Sequence, residues 1–599
     1  MAVGFDFGTT NSLISVIAGD RPIDVLDGDG LPFPSVVRYE GEAVVVGRAA
    51  RDALESSGVG IHGNTVRSPK FLLGEESVHV GGIERSPVDI VHDVVRHVKD
   101  SSLRGPQAAL LDGVKQAVVT IPVSMDGPRR AALRDAFRRA DIGIVQFVHE
   151  PLAALYGYIR SQPDPAGTLR ALHRRNVLVV DWGGGTLDLT LCRVDGGHVD
   201  QLRNGGSAEV GGDRFDETIR DEVVKRFSKQ VDLVQQVEVH PDAKLRLLHD
   251  AEMNKISLSE RASVMFYRPD FFREPQATLE YLLTREELEE ITRPLVSAGM
   301  AEVESLLASL NMAPGQVALC LVAGGMAAMP AVRGRLHEHF GPQRVEVPAN
   351  SATLISQGAA WIAHDAQRLR LAKPIELQLA RASYLTLVPA GTEMPAEHEE
   401  KQRSFHLFCT DPSDALAKFA LCTPTRLTPA PQTSEPRTSV ANLTVGVDER
   451  AAPFKERLEL DVKIDDDLIL TAYAWSSETG DEDLASFHDL EFSLRLPGAV
   501  SGTERSGDKE DAVAESSTGD PGTLAIRANV ADVVADRLVP GEVLYKHKRS
   551  AFNRSRGYTS ATEEQIAEHL YYQPCAVCGR SSSDRACRCA TAPQPWRDL

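Results

Sequence analysis

Apolar positions in this chain come in short runs that break at glycine and acid. Val177–Val180 is an unbroken apolar run and reads as a buried strand. It ends in Asp181, and Gly183, Gly184, Gly185 and Thr186 follow. Leu187–Leu191 (L-D-L-T-L) then alternates, as a second strand does, and the two runs are close enough to close a hairpin. The N-terminus repeats the pattern. Val3–Phe5 is apolar, Asp6, Gly8, Thr9, Thr10 and Asn11 form the break, and Leu13–Ile17 is apolar again. D-x-G-T-T and D-W-G-G-G-T are thus two versions of one strand–turn–strand device. Such an internal repeat predicts two related lobes, each offering a hairpin to a shared cleft.

The residue types in the breaks suggest a chemistry. Glycines accept φ > 0 and bring bare backbone N–H groups to a ligand. A nest of such groups suits an anion, phosphate above all. Asp6, Asp181 and Asp188 suit a hard cation, held mostly through its waters, and Mg²⁺ takes one or two carboxylates together with phosphate oxygens. The motifs together suggest a Mg-nucleotide site. The alternative for this stretch alone is a glycine-rich hairpin whose aspartates only cap turns.

Further along, the pattern changes to β throughout. In "FKERLELDVKIDDDLILTAYAWSSETG", Leu458, Leu460, Val462 and Ile464 alternate, Asp465–Asp467 turn, and Leu468–Trp475 returns as a strand. "LEFSLRL" (490–496) reads as one more strand of this region. The segment 422–439, rich in Pro and Thr, reads as an exposed loop. Residues 501–521 are polar, charged and glycine-bearing and read as a disordered linker. In the tail, 526–539 and 559–572 suggest helices. The basic, aromatic stretch 545–558 between them reads either as a nucleic-acid contact or, more simply, as a solvated loop. Cys575, Cys578, Cys587 and Cys589 place four thiols within fifteen positions, a set that suits a closed structural Zn²⁺ site. Free thiols or a redox pair are the alternatives.

Composition narrows the class. A hydrophobic content of 42% in 599 residues supports several full cores, and a formal charge of −20 argues against a general nucleic-acid coat protein. The chain enters a strand almost at once, without a basic or apolar leader, and its most apolar stretch, 317–332, contains Gly-Gly and Pro and falls short of a membrane span. Cys192, Cys320, Cys409 and Cys422 are scattered, which fits a reducing compartment. The expectation is therefore a cytoplasmic protein with no membrane contact.

Ten stretches, in order over about residues 1–365, carry a specific resemblance. They include "GFDFGTTNS", "RSPKFLLG", "VHEPLAALYGY", "VVDWGGGTLDLTL", "EVGGDRFDETI", "AEMNKISLS", "LVAGGMAAMPAV" and "SQGAAWIA". The chain resembles the DnaK-type (heat-shock seventy) chaperones of the actin-like ATPase superfamily. The resemblance implies a two-lobed α/β actin-like ATPase domain over 1–368. Beyond it come a β-sandwich-like domain over 372–497 resembling the family's peptide-binding domain, a linker over 498–522 and a small zinc-binding tail over 523–599. It also implies roles. Gly8, Thr9, Thr10, Asn11, Gly183, Gly184 and Gly185 would meet the phosphates, with Thr186 facing the γ-phosphate. Lys70 and Glu150 would orient the attacking water, while Asp6, Asp181 and Asp188 would surround Mg²⁺. Gly211 and Gly212 would close over the phosphates. Gly324, Gly325, Glu252, Lys255 and Ser259 would line the nucleoside.

The departures are as specific as the matches. Ile256 and Ala328 stand where the family stacks adenine between arginines. A cation over a ring contributes about 0.5–2 kcal/mol, so losing two predicts nucleotide binding weaker by roughly one or two orders of magnitude. Ala352 stands in place of an acid, and "AQRLRLAKP" stands where a hydrophobic, acid-containing interdomain linker belongs. The implied function is a slow ATP-hydrolysing chaperone that binds ATP, extended client polypeptides and co-chaperones. The alternative is a nucleotide-gated scaffold whose zinc tail chooses a specific protein partner.

Overall fold

The computed structural model describes residues 2–52, 60–231, 238–239, 241–274, 277–379, 383–409, 412–427, 431–432, 434–452, 455–497 and 533–535. The chain divides into two compact units. The first is Met1–Leu369 with Glu491–Thr503, and the second is Arg370–Leu490 with Glu504–Leu599. The expected linker, the basic stretch 545–558, the helix at 559–572 and the four tail cysteines lie outside the described residues.

Two sheets in the first unit realise the repeat. In one, the order is Gly143–His149, Gln116–Ile121, Val3–Phe7, Asn11–Ala18 and Arg21–Val25. The first three run parallel, and Val3–Phe7 turns back antiparallel into Asn11–Ala18. In the other, Val345–Glu346, Val317–Ala323 and Arg175–Trp182 run parallel, and Arg175–Trp182 turns back into Leu187–Asp195 and then His198–Ser207. The strands are apolar because both faces are covered: Val177–Val180 and Leu189 are fully buried.

The helices Glu150–Arg160 and Leu354–His364 pack tightly against each other. A Cβ on Gly358 would lie 1.8 Å from the Ala153 carbonyl oxygen, and one on Gly4 would lie 2.2 Å from the Ala360 nitrogen. Glycine at these positions lets backbone meet backbone. The close crossing fixes the start of Glu150–Arg160 beside the ends of Val3–Phe7 and Gln116–Ile121, where the site residues lie.

"LEFSLRL" does form a strand, but not in the second unit. Phe492–Arg495 pairs antiparallel with His198–Asp200 at the edge of the second sheet of the first unit. Phe492 and Leu494 are buried, Ser493 Oγ donates to Asp200 Oδ1 at 2.6 Å, and Phe492 N donates to Gln201 Oε1 at 2.9 Å. The Phe492 ring lies 5.2 Å from that of His149.

The second unit holds two antiparallel sheets. One runs Ser383–Val388, Ile375–Leu379, Leu416–Pro424 and Arg437–Gly446, and the other Glu482–Phe487, Leu470–Ser476, Arg457–Asp465, Glu400–Cys409 and Val533–Ala535. The alternation at Leu458, Leu460, Val462 and Ile464 is an inward face, each residue at most 1% exposed. Two expectations are corrected. The segment 422–439 is not all loop, since Cys422–Pro424 and Arg437–Ser439 pair with one another and Cys422 and Thr423 are buried. Val533–Ala535, expected within a helix, is a strand on the edge of Glu400–Cys409. Backbone pairing with that strand outweighs the helical period read from the sequence. Among the described residues no helix is long and apolar enough to cross a membrane.

Candidate functional site

Asp181 and Asp188 face each other directly across the second hairpin, one step before its turn. The turn is closed by Gly183 N donating to Thr186 O at 2.9 Å, and Thr186 Oγ1 donates to Asp188 Oδ2 at 2.7 Å. In the first hairpin Asp6 occupies the place of Asp181, but its cross-strand neighbour is Leu13. The second acid therefore belongs to one lobe only. Thr120 Oγ1 donates to Asp6 Oδ1 at 2.9 Å.

The glycines are required by contact. A Cβ on Gly184 would lie 2.5 Å from Thr10 Oγ1, and one on Gly185 would lie 3.1 Å from Thr9 Oγ1 and 2.6 Å from Phe71 Cζ. The two hairpin turns thus meet tip to tip. A third turn lies on them: Gly212 N donates to Gly183 O at 3.1 Å and Asp213 N to Gly184 O at 2.7 Å, while a Cβ on Gly211 would collide with the Gly185 backbone at 2.3 Å. Gly324, at φ +80, sits against Asp181 Oδ1. Asn11 contributes its carbonyl, against which Gly8 packs.

Lys70 and Glu150 come from distant elements and meet here. Lys70 lies on the single 3₁₀ turn Pro69–Leu72, and Glu150 opens its helix just after His149. Lys70 Nζ and Glu150 Oε1 are 2.9 Å apart, with both side chains at most 10% exposed. Burial, with Glu150 next, pushes the carboxyl of Asp6 up to about 6 and that of Asp188 up to about 7. Asp181 is also raised by burial, then by Glu150 and Asp188. Four carboxylates thus face one ammonium, an imbalance a divalent cation would relieve. Among the described residues no group of His, Cys, Asp or Glu converges tightly enough to ligate a metal directly. Carboxylates are donors that Mg²⁺ takes, one or two of them together with water and phosphate oxygens.

At the nucleoside end, Lys255 Nζ pairs with Asp216 at 2.8 Å and donates to Gly212 O at 3.1 Å. Glu252 pairs with Arg67 at 2.8 Å. Burial is the largest influence on Glu252 and opposes its charge, but Arg67, Arg51 and Lys255 together outweigh it and hold the carboxyl below its usual range. Ser259 follows the helix Pro241–Leu258, its N–H donating to Ile256 O. Ile256 is 54% exposed, Ala328 is also exposed, and a Cβ on Gly325 would meet nothing within 4 Å.

A family described as Hsp70 protein matches residues 2–369, more than half of the chain. The chain belongs to the Hsp70 family. It is similar to the chaperone protein DnaK of Cenarchaeum symbiosum, 31% identical over 345 residues covering 55% of this chain and 49% of that one. The DnaK of Mycoplasma mycoides is 30% identical, covering 55% and 54%. The chaperone protein HscA homolog of Pseudomonas fluorescens is 29% identical, covering 57% and 54%. The chain spans about half the length of the curated relatives it matches.

Within this Hsp70 fold the three glycine turns, the three aspartates, Lys70 and Glu150 lie together, with Lys255 and, through Arg67, Glu252 adjoining them. Sequence reasoning passed over Arg67, Phe71, Asp213 and Asp216. All four lie in stretches quoted for the resemblance, "RSPKFLLG" and "GGDRFD". Their partners are up to 185 residues away in the chain, so only folding reveals them.

Proposed function

We propose that this chain is an ATP-binding, ATP-hydrolysing DnaK-type chaperone. The observation that carries this is the buried Lys70–Glu150 pair set beside three aspartates at glycine turns that meet tip to tip. Phosphoryl transfer asks little of a protein beyond positioning and charge, and these residues supply both. The N–H groups of the Gly8–Asn11 turn and of Gly184, Gly185 and Thr186 would hold the phosphate oxygens, with Gly183 closing the second turn. Lys70 would fix the γ-phosphate, and Glu150 would accept a hydrogen bond from the attacking water and so orient it. Asp6, Asp181 and Asp188 would hold Mg²⁺ through its waters, and the ion would offset phosphate charge. Glu252, Lys255 and Ser259 would meet the ribose and base. An ATPase assay with and without an unfolded peptide tests this reading. Hydrolysis stimulated by the peptide supports it, and no hydrolysis under either condition overturns it.

The second unit, with its two antiparallel sheets, is proposed to hold extended client segments. A nucleotide-gated scaffold is the competing role, and one observation favours it: after Arg370–Leu490 the chain re-enters the first unit through Phe492–Arg495, so that stretch of the second unit is attached at both ends. Peptide stimulation separates the two. We also propose one structural Zn²⁺ at Cys575, Cys578, Cys587 and Cys589, to be checked by metal analysis of the purified chain. We also propose a cytoplasmic location, in keeping with the scattered placement of Cys192, Cys320, Cys409 and Cys422 along the sequence.

A further inference from the structure

In the second unit, the strand Leu470–Ser476 sorts its side chains by face. Leu470, Ala472 and Ala474 are buried, so Tyr473 and Trp475 turn to the opposite face of the sheet. Their rings stack, with centroids 5.0 Å apart and planes 29° from parallel. Leu484, directly across from Tyr473 on Glu482–Phe487, extends this surface and is 60% exposed. Two carboxylates flank the rings: Asp461 lies across from Tyr473 on one side, and Glu482 across from Trp475 on the other. Asp461 accepts a hydrogen bond from Gln402 Nε2 at 3.0 Å, and Glu482 accepts one from the Tyr473 hydroxyl. Neither meets a cation among the described residues. Arg457 and Lys463, on the same face, pair with Glu459 and Glu400. A stacked aromatic pair between two such carboxylates suits an arginine or lysine, which takes the ring face and the negative charge together.

We propose that this face docks the chain's own basic stretch, residues 545–558. That stretch carries Lys546, Lys548, Arg549, Arg554 and Arg556 and no acid, in a chain whose formal charge is −20. It belongs to the same compact unit as the face. The route between them is short. Val533–Ala535 pairs with Leu407–Cys409 on the edge of the same sheet, and three strand spacings, about 14 Å, separate that edge from Leu470–Ser476. The rows align as well: His406, next to Leu407, lies opposite Glu459, and Glu459 lies opposite Trp475. Residues 536–544 reach up to about 30 Å when extended, more than enough to bring Tyr545 to the rings. Docked there, the stretch sets its guanidinium groups over the rings and its charge beside Asp461 and Glu482, and it denies the face to other basic polypeptides. Docking of this kind does not depend on the nucleotide chemistry of the first unit.

The test is zero-length carbodiimide cross-linking of the full chain, with the linked residues mapped by mass spectrometry. Wild type should give amide links from Lys546 or Lys548 to Asp461 or Glu482, within monomers and at a yield independent of concentration. Two variants are compared with it. Tyr473→Ala with Trp475→Ala keeps every linkable group and removes the rings. Arg549→Gln with Arg554→Gln and Arg556→Gln keeps both lysines and alters no residue of either sheet. Each should lower the yield about fivefold or more, as losing cations over rings predicts. Absence of these links in wild type overturns the proposal, leaving the stretch to nucleic acid or the face to a separate partner. Links found only between chains, rising with concentration, put a second copy on the face and also overturn it. A wild-type yield in the arginine variant overturns it even where the ring variant fails to fold.

Discussion

Lys70 and Glu150 are 80 residues apart in the chain and 2.9 Å apart in space. Both are buried, and removing Lys70 takes the one ammonium away from a cluster of carboxylates that includes Asp6, Asp181 and Asp188. Lys70→Ala and Glu150→Gln are both expected to lower hydrolysis at least about a hundredfold, a general acid–base or charge-stabilising contribution, while nucleotide binding stays measurable. Single-turnover assays check this, and wild-type rates in both variants would remove these residues from the mechanism. At the nucleoside end Ile256 and Ala328 are both exposed, which leaves room for longer side chains there. Ile256→Arg should tighten ATP by up to about tenfold, and Ile256→Arg with Ala328→Arg by more, consistent with a cation over a ring. Calorimetry showing no gain in either would mean that adenine lies elsewhere.

At the scale of elements, the glycine turns separate by function. Gly211 has backbone within 2.3 Å of its absent Cβ, whereas Gly325 has open space. Gly211→Ala should disrupt the stacking of three turns and abolish nucleotide binding, and Gly325→Ala should leave binding near wild type. Equal effects would show that the turns do not act as a stack. These hairpins were legible in the sequence because everything that makes them is local: an apolar run, an acid, glycines and a second run. The strand at Phe492–Arg495 was legible as a strand for the same reason. Its partner was not, because alternation reports which face is buried and says nothing of which sheet edge is joined. Val533–Ala535 fails similarly, since a three-residue edge strand carries too little pattern to compete with its surroundings. The pairing of Arg67 with Glu252 needs two separate elements brought together, and neither stretch advertises the other.

For the molecule as a whole, burial of charge makes stability depend on pH. Burial pushes Asp213 up to about 6 and Asp216 up to about 7, from 3.8, with Lys255 pulling the other way on both and Arg67 also on Asp213. Between these values the folded chain holds protons that the unfolded chain has released. The stability these groups contribute is therefore complete below about pH 4 and is lost as pH rises through about 6 to 7. Asp216→Asn should flatten this part of the profile, measured by denaturant unfolding from pH 5 to 8. A wild-type profile that rises across that range, and is unchanged in the variant, would contradict it.

The strand that returns from the second unit also sets an order of events during synthesis. His198–Ser207 leaves the ribosome early, but the segment that closes its edge, Phe492–Arg495, follows only after Arg370–Leu490 of the second unit. At roughly 5–20 residues per second, that edge stays unpaired for on the order of tens of seconds. An open edge is a template for pairing with other chains. A nascent first unit is thus itself a substrate in need of protection until its last strand arrives. A chain ended at Leu369 keeps the edge open for good, and it should self-associate in sedimentation at concentrations where the full chain does not.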